Sequence, residues 1–314
     1  MKYTFKLLFL LLFLCCLTEV KAETWNEPWQ KEIIQQSNLF ILGEVTEVDG
    51  LTAKVKVLKR IGGTHTKKEI TIDGFFLLTL TSSSGHGVHL SLEAGNNYYL
   101  FLKENENGSY SLPTPTSGYA YLDKEIGVVA TYRHSYHQAL ISQEIYEMTF
   151  ENIWSYYKKG TFQKDINNNY INSQLDIKPA SFDNEDEINI FFKQHVALET
   201  AYLLDLSFDV EKIKKFVLCD NFHLKVSALQ LLGNIDTNPS KELLLSSIES
   251  EDYTNFEKVI AIWSLKRLGD KNYISMLKKM KDKLSDEVDG FGGNIMDPRV
   301  GTHFPSPKGA VEKL

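Results

Sequence analysis

The hydrophobic period of this chain changes once along its length, and that change constrains the fold more than any other feature. Between Asn38 and about Asp123, apolar and polar residues alternate with the two-residue period of half-buried β-strands. From about Glu185 onward, apolar residues recur every three or four positions, as on one face of an α-helix. The sequence therefore predicts an α+β protein in which a β domain precedes a helical one.

The β part contains about five short strands. Leu39–Val48 and Leu51–Leu58 flank Asp49-Gly50, a dipeptide that tolerates positive φ and is typical of hairpin turns. Further runs of strand-forming residues lie at 69–72, 97–103 and 109–112. So many short strands in so short a stretch favour a small closed barrel or a sandwich.

The helical part contains a repeat. Val226–Leu232 aligns with Val259–Leu265, and each segment precedes a glycine and then a second predicted helix. Ala197–Leu204 is a weaker copy of the same unit. Helix pairs at a spacing in the thirties, none of which can bury its apolar face alone, are typical of an α-solenoid.

Residues 1–22 have the three parts of a secretory signal peptide. Lys2 and Lys6 give a basic start, an apolar run follows at 7–17, and residues 20–22 fit a cleavage site. The run is shorter than the ~20 apolar residues that span a bilayer, and no second long run follows it. We therefore expect no transmembrane segment and an exported protein, either periplasmic or secreted.

The charge and the cysteine content limit which binding partners and which disulfide bonds are expected. The net charge is −7, and loss of the basic signal peptide would make it more negative, so nucleic acid and anionic lipid are not expected partners. Cys15 and Cys16 lie in the signal peptide, which leaves Cys219 without a disulfide partner in the same chain. Leu14 stands where lipoprotein processing needs a small residue, so lipid anchoring is not expected. Cys219 lies among apolar residues and is expected to be a buried, inert thiol.

Between the two halves, Tyr132–Tyr157 is predicted to be one helix that braces them, and the Asn-rich segment 164–179 is predicted to be a linker. The last residues are rich in Gly and Pro, which predicts an irregular tail. The predicted boundaries are 1–22 for the signal peptide, 23–130 for the β-barrel domain, 131–180 for the bracing helix and linker, 181–288 for the helical repeats and 289–314 for the tail.

Four segments of the first half share a pattern with a known family. Residues 40–45 contain a Gly-x-Val strand, 53–59 end in basic residues, 93–102 contain Gly-x-x-Tyr-x-x-x-Leu, and 108–112 follow. This pattern resembles the netrin-like, OB-fold domains related to tissue inhibitors of metalloproteinases. The resemblance implies an OB-like barrel. Inhibitors in that family bind the protease zinc through an N-terminal cysteine, and the predicted mature chain has none near Glu23, so that mode of inhibition is not implied.

Residues 185–284 carry Ala and Leu at the spacings of a helical core and resemble HEAT-type repeats. This resemblance implies a binding surface rather than a chemical activity. Neither resemblance assigns a catalytic residue to any position of this chain.

Histidine gives the sharpest candidate site. His86 with His89, and His134 with His137, form two His-x-x-His pairs, which with a third ligand such as His65 or Asp73 could complete a tetrahedral zinc site. The alternative is that these are solvated histidines of a loop and of a helix surface, because the first pair lies in a Ser- and Gly-rich segment. No metal or other cofactor is assigned, and the four histidines stay candidates.

Two other catalytic patterns are weaker. Ser84 is close to His86 in sequence, but the chain has no Gly-x-Ser-x-Gly elbow. The glycines at 290–293 lack the preceding strand and following helix of a phosphate-binding loop. The sequence therefore does not predict an enzyme.

The function predicted from the sequence is that of an exported, non-catalytic binding or scaffolding protein. It would engage a protein partner through the concave helices and the barrel loop at 80–90. The alternatives are a metal-dependent hydrolase that uses the four histidines and a protease inhibitor that acts through the barrel loops. Aromatic residues such as Trp25, Trp29, Tyr119 and Tyr121 are expected in the core or at interfaces, or, if exposed, in a platform for a partner or a sugar.

Overall fold

A computed structural model of the protein describes residues 24–64, 67–75, 78–79, 89–90, 92–134, 137–181, 185–289, 300–301 and 304–314. The predicted signal peptide lies outside the described residues. The strands are β1 (Trp25–Asn26), β2 (Leu39–Asp49), β3 (Thr52–Gly62), β4 (Glu69–Asp73), β5 (Leu78–Thr79), β6 (His89–Leu90), β7 (Asn97–Glu104), β8 (Tyr110–Ser111), β9 (Tyr119–Asp123), β10 (Gly127–Thr131), β11 (Gln138–Ile141) and β12 (Val300–Gly301). The α-helices are α1 (Gln30–Gln36), α2 (Gln143–Lys159), α3 (Lys164–Leu175), α4 (Ile188–Leu203), α5 (Val210–Val217), α6 (Phe222–Leu232), α7 (Asn238–Glu249), α8 (Asn255–Leu268), α9 (Lys271–Met280) and α10 (Pro307–Glu312).

Five strands form a closed barrel in the order β7-β2-β3-β4-β8, because β8 pairs with both β4 and β7. The β4–β8 pair is parallel and the other pairs are antiparallel. Gly50 turns the β2–β3 hairpin with a φ of 59°, as the Asp-Gly signal indicates. The predicted α+β class and the small closed barrel are confirmed.

Alternate side chains of the barrel strands are buried in two different hydrophobic cores. On β7, Leu100 and Leu102 point into the barrel core, whereas Tyr99 and Phe101 point outward into the larger core. The ring of Phe101 stacks on Phe40 of β2 at a centroid distance of 4.1 Å. Both faces of β7 and of the first half of β2 are buried, so the sequence of these two segments is a nearly continuous apolar run.

The barrel sheet continues from β7 through β9, β10 and β11, which the sequence did not predict. The predicted helix Tyr132–Tyr157 is wrong in its first part, because residues 138–141 pair with β10 and bury Ala139 and Ile141. The helix begins only at Gln143, after Ser142 caps it by accepting from the Ile145 N–H. Alternation over four residues was too short a signal to separate a strand from the start of a helix.

Two segments that were expected to be irregular contain helices. The predicted linker at 164–179 forms α3, because Ile171 and Leu175 lie on one face and are fully buried. In the predicted tail, α10 packs on α8 and buries Ala310 and Val311. Residues 300–301 pair with β1, so the two ends of the described chain meet in a short parallel ladder.

The helical half contains two rows of helices. The first row runs from α3 through α4 and α6 to α8, each helix packing on the next. The second row consists of α5 and α7, which cover the first. The aligned repeat segments fall on α6 and α8, and Gly269 ends α8 in the left-handed conformation. The residues before the two helices, Asn221 and Thr254, cap them with their side chains.

The larger core joins both halves. It contains Phe40 of the barrel, Tyr132 of the β10–β11 turn, and Phe191, Leu229 and Ile262 of the helices. The barrel and the helices are therefore fixed against each other by packing in this shared core. Within the described part of the chain, no helix has the length and apolar character needed to cross a membrane.

Candidate binding cleft

The four candidate metal ligands occupy different surroundings where the structure describes them. His86 lies outside the described residues, and for His89 only the strand backbone is described. His134 and His137 lie in the β10–β11 turn, where His134 Nε2 is 3.0 Å from the Glu27 carbonyl oxygen and its ring meets Trp29 edge-on. Among the described residues, no group of three or more His, Cys, Asp or Glu side chains is arranged to hold a metal.

His137 belongs to a buried histidine cluster, defined here as His137, His195 and His223. Its ring stacks on His223 at 4.1 Å and meets His195 edge-on at 4.2 Å. Burial is the main cause that lowers the pKa of His137 and His195 well below the ordinary value and that of His223 to about 3. The three rings are therefore neutral near neutral pH. The sequence analysis missed His195 and His223, because they come from α4 and α6.

Arg133 lies beside this cluster and forms a buried ion pair. Its Nε donates to Glu199 Oε1 at 2.6 Å, and both side chains are 1% exposed. The Nη2 group donates to the His223 carbonyl at 2.8 Å and to the Ser227 hydroxyl. Ser227 in turn donates to Glu199 Oε1 at 2.7 Å. This network ties the β10–β11 turn to α4 and α6 and compensates the guanidinium charge.

Ser227 and His195 resemble a nucleophile and its base by distance alone. His195 Nδ1 lies 3.0 Å from Ser227 Oγ. Both residues are fully buried, and the hydroxyl already bonds Glu199 and Arg133. A nucleophile has to reach a substrate carbonyl, so this pair serves the buried network instead.

A cleft of about 270 Å³ lies over the network, between the segment 29–32 and helices α4, α6 and α8. The buried residues at its base, here called the floor, are Tyr132, Arg133, Leu203, Gln230, Ile260 and Ser264. The more accessible residues around it, here called the rim, are Trp29, Lys31, Glu32, Tyr202, Trp263 and Arg267.

The floor contains an unsatisfied polar group. Gln230 is only 7% exposed, and its Oε1 has no hydrogen-bond partner among the described residues. A buried acceptor of this kind costs free energy unless something donates to it. Arg133 offers donors on the same floor, since its bonds to described residues use Nε and Nη2.

Aromatic rings form two sides of the rim. Trp29 meets Trp263 edge-on at a centroid distance of 6.1 Å, and both pack against Phe304. On the other side the Arg267 guanidinium lies 4.9 Å from the centre of the Tyr202 ring. Such rings provide large apolar contact areas with little loss of side-chain entropy.

Asp205 fixes the position of Arg267. Its carboxylate accepts from Arg267 and from the Tyr156 hydroxyl, which joins α2 to α8. Its φ of 53° is left-handed and is the one positive φ of a described residue other than glycine. The hydrogen bond to this carboxylate raises the pKa of Tyr156 to about 12.

The other residues that the sequence analysis singled out lie outside the cleft. Trp25 Nε1 donates to Thr116 Oγ1 at 2.7 Å and to Glu27 Oε1 at 3.0 Å. Tyr119 and Tyr121 are half-buried and line a shallow groove with Tyr98. Cys219 is half-buried, and burial raises the pKa of its thiol.

Comparisons with protein-family models, curated proteins and solved structures found no match to this chain.

Proposed function

We propose that this protein is a non-catalytic binding protein and that the cleft is its binding site. The observation that carries the proposal is the floor of the cleft, where the buried Gln230 acceptor has no partner. A fold normally pairs its buried polar groups, so an unpaired one at the base of a cleft points to a group supplied from outside. The partner we propose, as the sequence analysis predicts, is a protein.

The cleft has the composition of a recognition site. Two tryptophans, two tyrosines and two arginines contribute to it, and these residue types dominate binding hot spots. It lies between elements from both halves of the chain, where binding sites commonly form. Its shape is fixed on several sides, because the residues around it are anchored in one continuous core.

The finer architecture belongs to the same proposal. The closed barrel supports an OB-like, netrin-like first domain, and the row α4-α6-α8 supports HEAT-like repeats in a short solenoid. An exported location follows from the predicted signal peptide alone. The barrel loop at 80–90 is a second predicted contact surface, and its side chains lie outside the described residues.

Neither alternative function gains an observation in its favour. A metal-dependent hydrolase needs the four histidines to converge, and the two described side chains have different neighbours. Protease inhibition through the barrel loops depends on residues outside the described part of the chain.

A fragment screen tests the proposal. Ligand-observed NMR on the purified protein would cover a library of neutral amides, carboxylates, phosphates, sugars and cations. We expect a subset to bind, and the Trp263→Ala variant to lose these hits because it removes one side of the rim. Trp154→Phe, outside the cleft, is the matched aromatic control and keeps them.

Two results would overturn this function. One is a screen without hits that depend on Trp263. The other is stoichiometric bound metal together with hydrolysis of a test ester or peptide bond that His134→Ala and His137→Ala abolish.

A further inference from the structure

We infer that the cleft takes an extended, uncharged peptide segment: a backbone amide on the floor and an apolar side chain against the two tryptophans. The inference rests on the proposed function and names the class of ligand. It differs from binding by a whole folded domain, because a cavity of about 270 Å³ is slightly smaller than a typical small-molecule pocket of about 300–1,000 Å³.

The electrostatics of the floor favour a neutral group. Arg133 is the only floor residue with a formal charge, and the buried carboxylate of Glu199 compensates it at 2.6 Å. The second oxygen of that carboxylate, Oε2, is buried with no hydrogen-bond partner among the described residues. An anionic ligand on the floor would bring a second negative charge near it, and the guanidinium of the floor is already paired with Glu199.

The polar atoms of the floor match a peptide group. Gln230 Oε1 needs a donor, and the Nη1 group of Arg133 has no bond to a described residue and can donate. A peptide segment carries both N–H donors and C=O acceptors, so it can supply a donor to Gln230 and an acceptor to Arg133. An ionised carboxylate or phosphate lacks the neutral charge, and the carboxylate also lacks a donor.

The sides of the cleft determine which side chain of the peptide can lie next to the bound amide group. Trp29 and Trp263 on the rim and Ile260 on the floor offer apolar surface beside the polar groups. Burying an apolar side chain there is favourable, whereas burying a carboxylate would not be. Lys31, Glu32 and Arg267 place both signs of charge on the rim, so they tolerate either charge on the residues that flank the segment.

Matched synthetic probes test each step. Isothermal titration would compare acetyl-Ala-Leu-Ala methylamide with its depsipeptide, in which an ester oxygen replaces the leucine N–H. A third probe with aspartate in place of leucine tests the apolar side. We expect the amide probe to bind about tenfold tighter than the ester, which corresponds to one buried hydrogen bond, and the aspartate probe to bind more weakly than both.

The variant Gln230→Leu identifies the acceptor. It should bind the amide and ester probes equally, because the Oε1 acceptor is gone. Gln36→Leu, at an exposed position of α1 outside the cleft, should keep the tenfold preference. Gln230→Met repeats the test with a flexible side chain in case the leucine variant does not fold, as judged by circular dichroism.

Three results would overturn the inference: equal binding of amide and ester by the unaltered protein, tighter binding of the aspartate probe, or a preference that persists in both Gln230 variants. If fragments of another class bind in a Trp263-dependent way while no peptide probe binds, the peptide inference fails and the binding function stands. If neither fragments nor peptides bind, the function itself fails.

Discussion

Arg133 is the largest fully buried side chain among the described residues, and it connects parts of the chain that are far apart in sequence. Its partners on α4 and α6 are Glu199, Ser227 and the His223 carbonyl. A buried ion pair adds little net stability when both partners are present, but removal of one partner leaves an uncompensated charge. The residue thus shapes the floor of the cleft and is costly to replace.

Arg133→Met should lower the free energy of unfolding by about 3–5 kcal/mol, because Glu199 stays buried without its cation. Urea denaturation measures the change. The double variant Arg133→Met with Glu199→Leu should recover most of the loss, since it removes both charges. If the loss of unfolding free energy in the double variant equals the sum of the losses in Arg133→Met and Glu199→Leu, the two residues do not act as a pair.

Acid should destabilise the fold through its buried histidines. The folded pKa values of His134 and His223 are about 4 and about 3, both below the ordinary value of 6.5. Between these values the unfolded chain binds protons that the folded one does not. The stability from neutral histidines is therefore present above pH 6.5 and is lost as the pH falls toward the folded values.

Urea denaturation at pH 7 and pH 5 measures the effect. Each of these histidines contributes up to about 1.4 kcal/mol per pH unit, so the free energy of unfolding should fall by several kcal/mol. His223→Phe keeps a ring stacked on His137 and should reduce the slope. A stability that is equal at both pH values would contradict the neutral cluster.

Helix α2 is the element that fixes the barrel against the helices. Its Trp154 ring packs on Phe40 and Phe101, and Glu147 accepts from Tyr99 and Lys59 of the barrel at 2.6 and 2.8 Å. Gly62, at the end of β3, lies directly under this indole, and a Cβ atom there would collide with Trp154. The absence of a side chain at Gly62 therefore allows the helix to approach the barrel.

Gly62→Ala should lower the free energy of unfolding by about 2 kcal/mol, because the methyl group overpacks the contact with Trp154. Thermal or urea denaturation measures it. Lys56→Ala, exposed on the same strand, is the control and should be nearly neutral. In a Trp154→Leu background the alanine should cost clearly less; an equal cost in both backgrounds would disprove the contact.

Secondary-structure elements of this chain differ in how clearly the sequence predicts them. Long periodic segments such as Leu39–Asp49 and Asn255–Leu268 were predictable, because their buried faces repeat over many residues. The β10–β11 hairpin and α3 were not, because four alternating residues or an Asn-rich helix give almost no periodic signal. Tertiary packing decided both.

The cleft could be predicted only in part for a related reason. The sequence analysis named Trp29 as a candidate for a binding platform, but Arg133, Gln230 and Trp263 come from separate elements. The repeat relates Gln230 to Trp263, which hold the same position in the two aligned segments, but no spacing in the sequence relates either of them to Arg133. Their meeting depends on how the β10–β11 turn packs against α4 and α6, which only the fold supplies.

At the scale of the whole molecule, the continuous core predicts cooperative unfolding. The larger core includes side chains from the barrel strands, from α2 and from all helices of the row. Tryptophan fluorescence, which reports on Trp154 beside the barrel and on Trp263 in α8, should therefore change together with far-ultraviolet circular dichroism during denaturation. Two separate transitions would instead favour independently stable halves.

The most direct test of the binding account uses the four tryptophans as site-specific probes. Their indole N–H groups should give four NMR signals, assigned by single Trp→Phe variants. On titration with acetyl-Ala-Leu-Ala methylamide, the account predicts that the signals of Trp29 and Trp263 shift together while those of Trp25 and Trp154 do not. Signals that stay unchanged, or shifts confined to Trp25 and Trp154, would contradict the assignment of the cleft as the binding site.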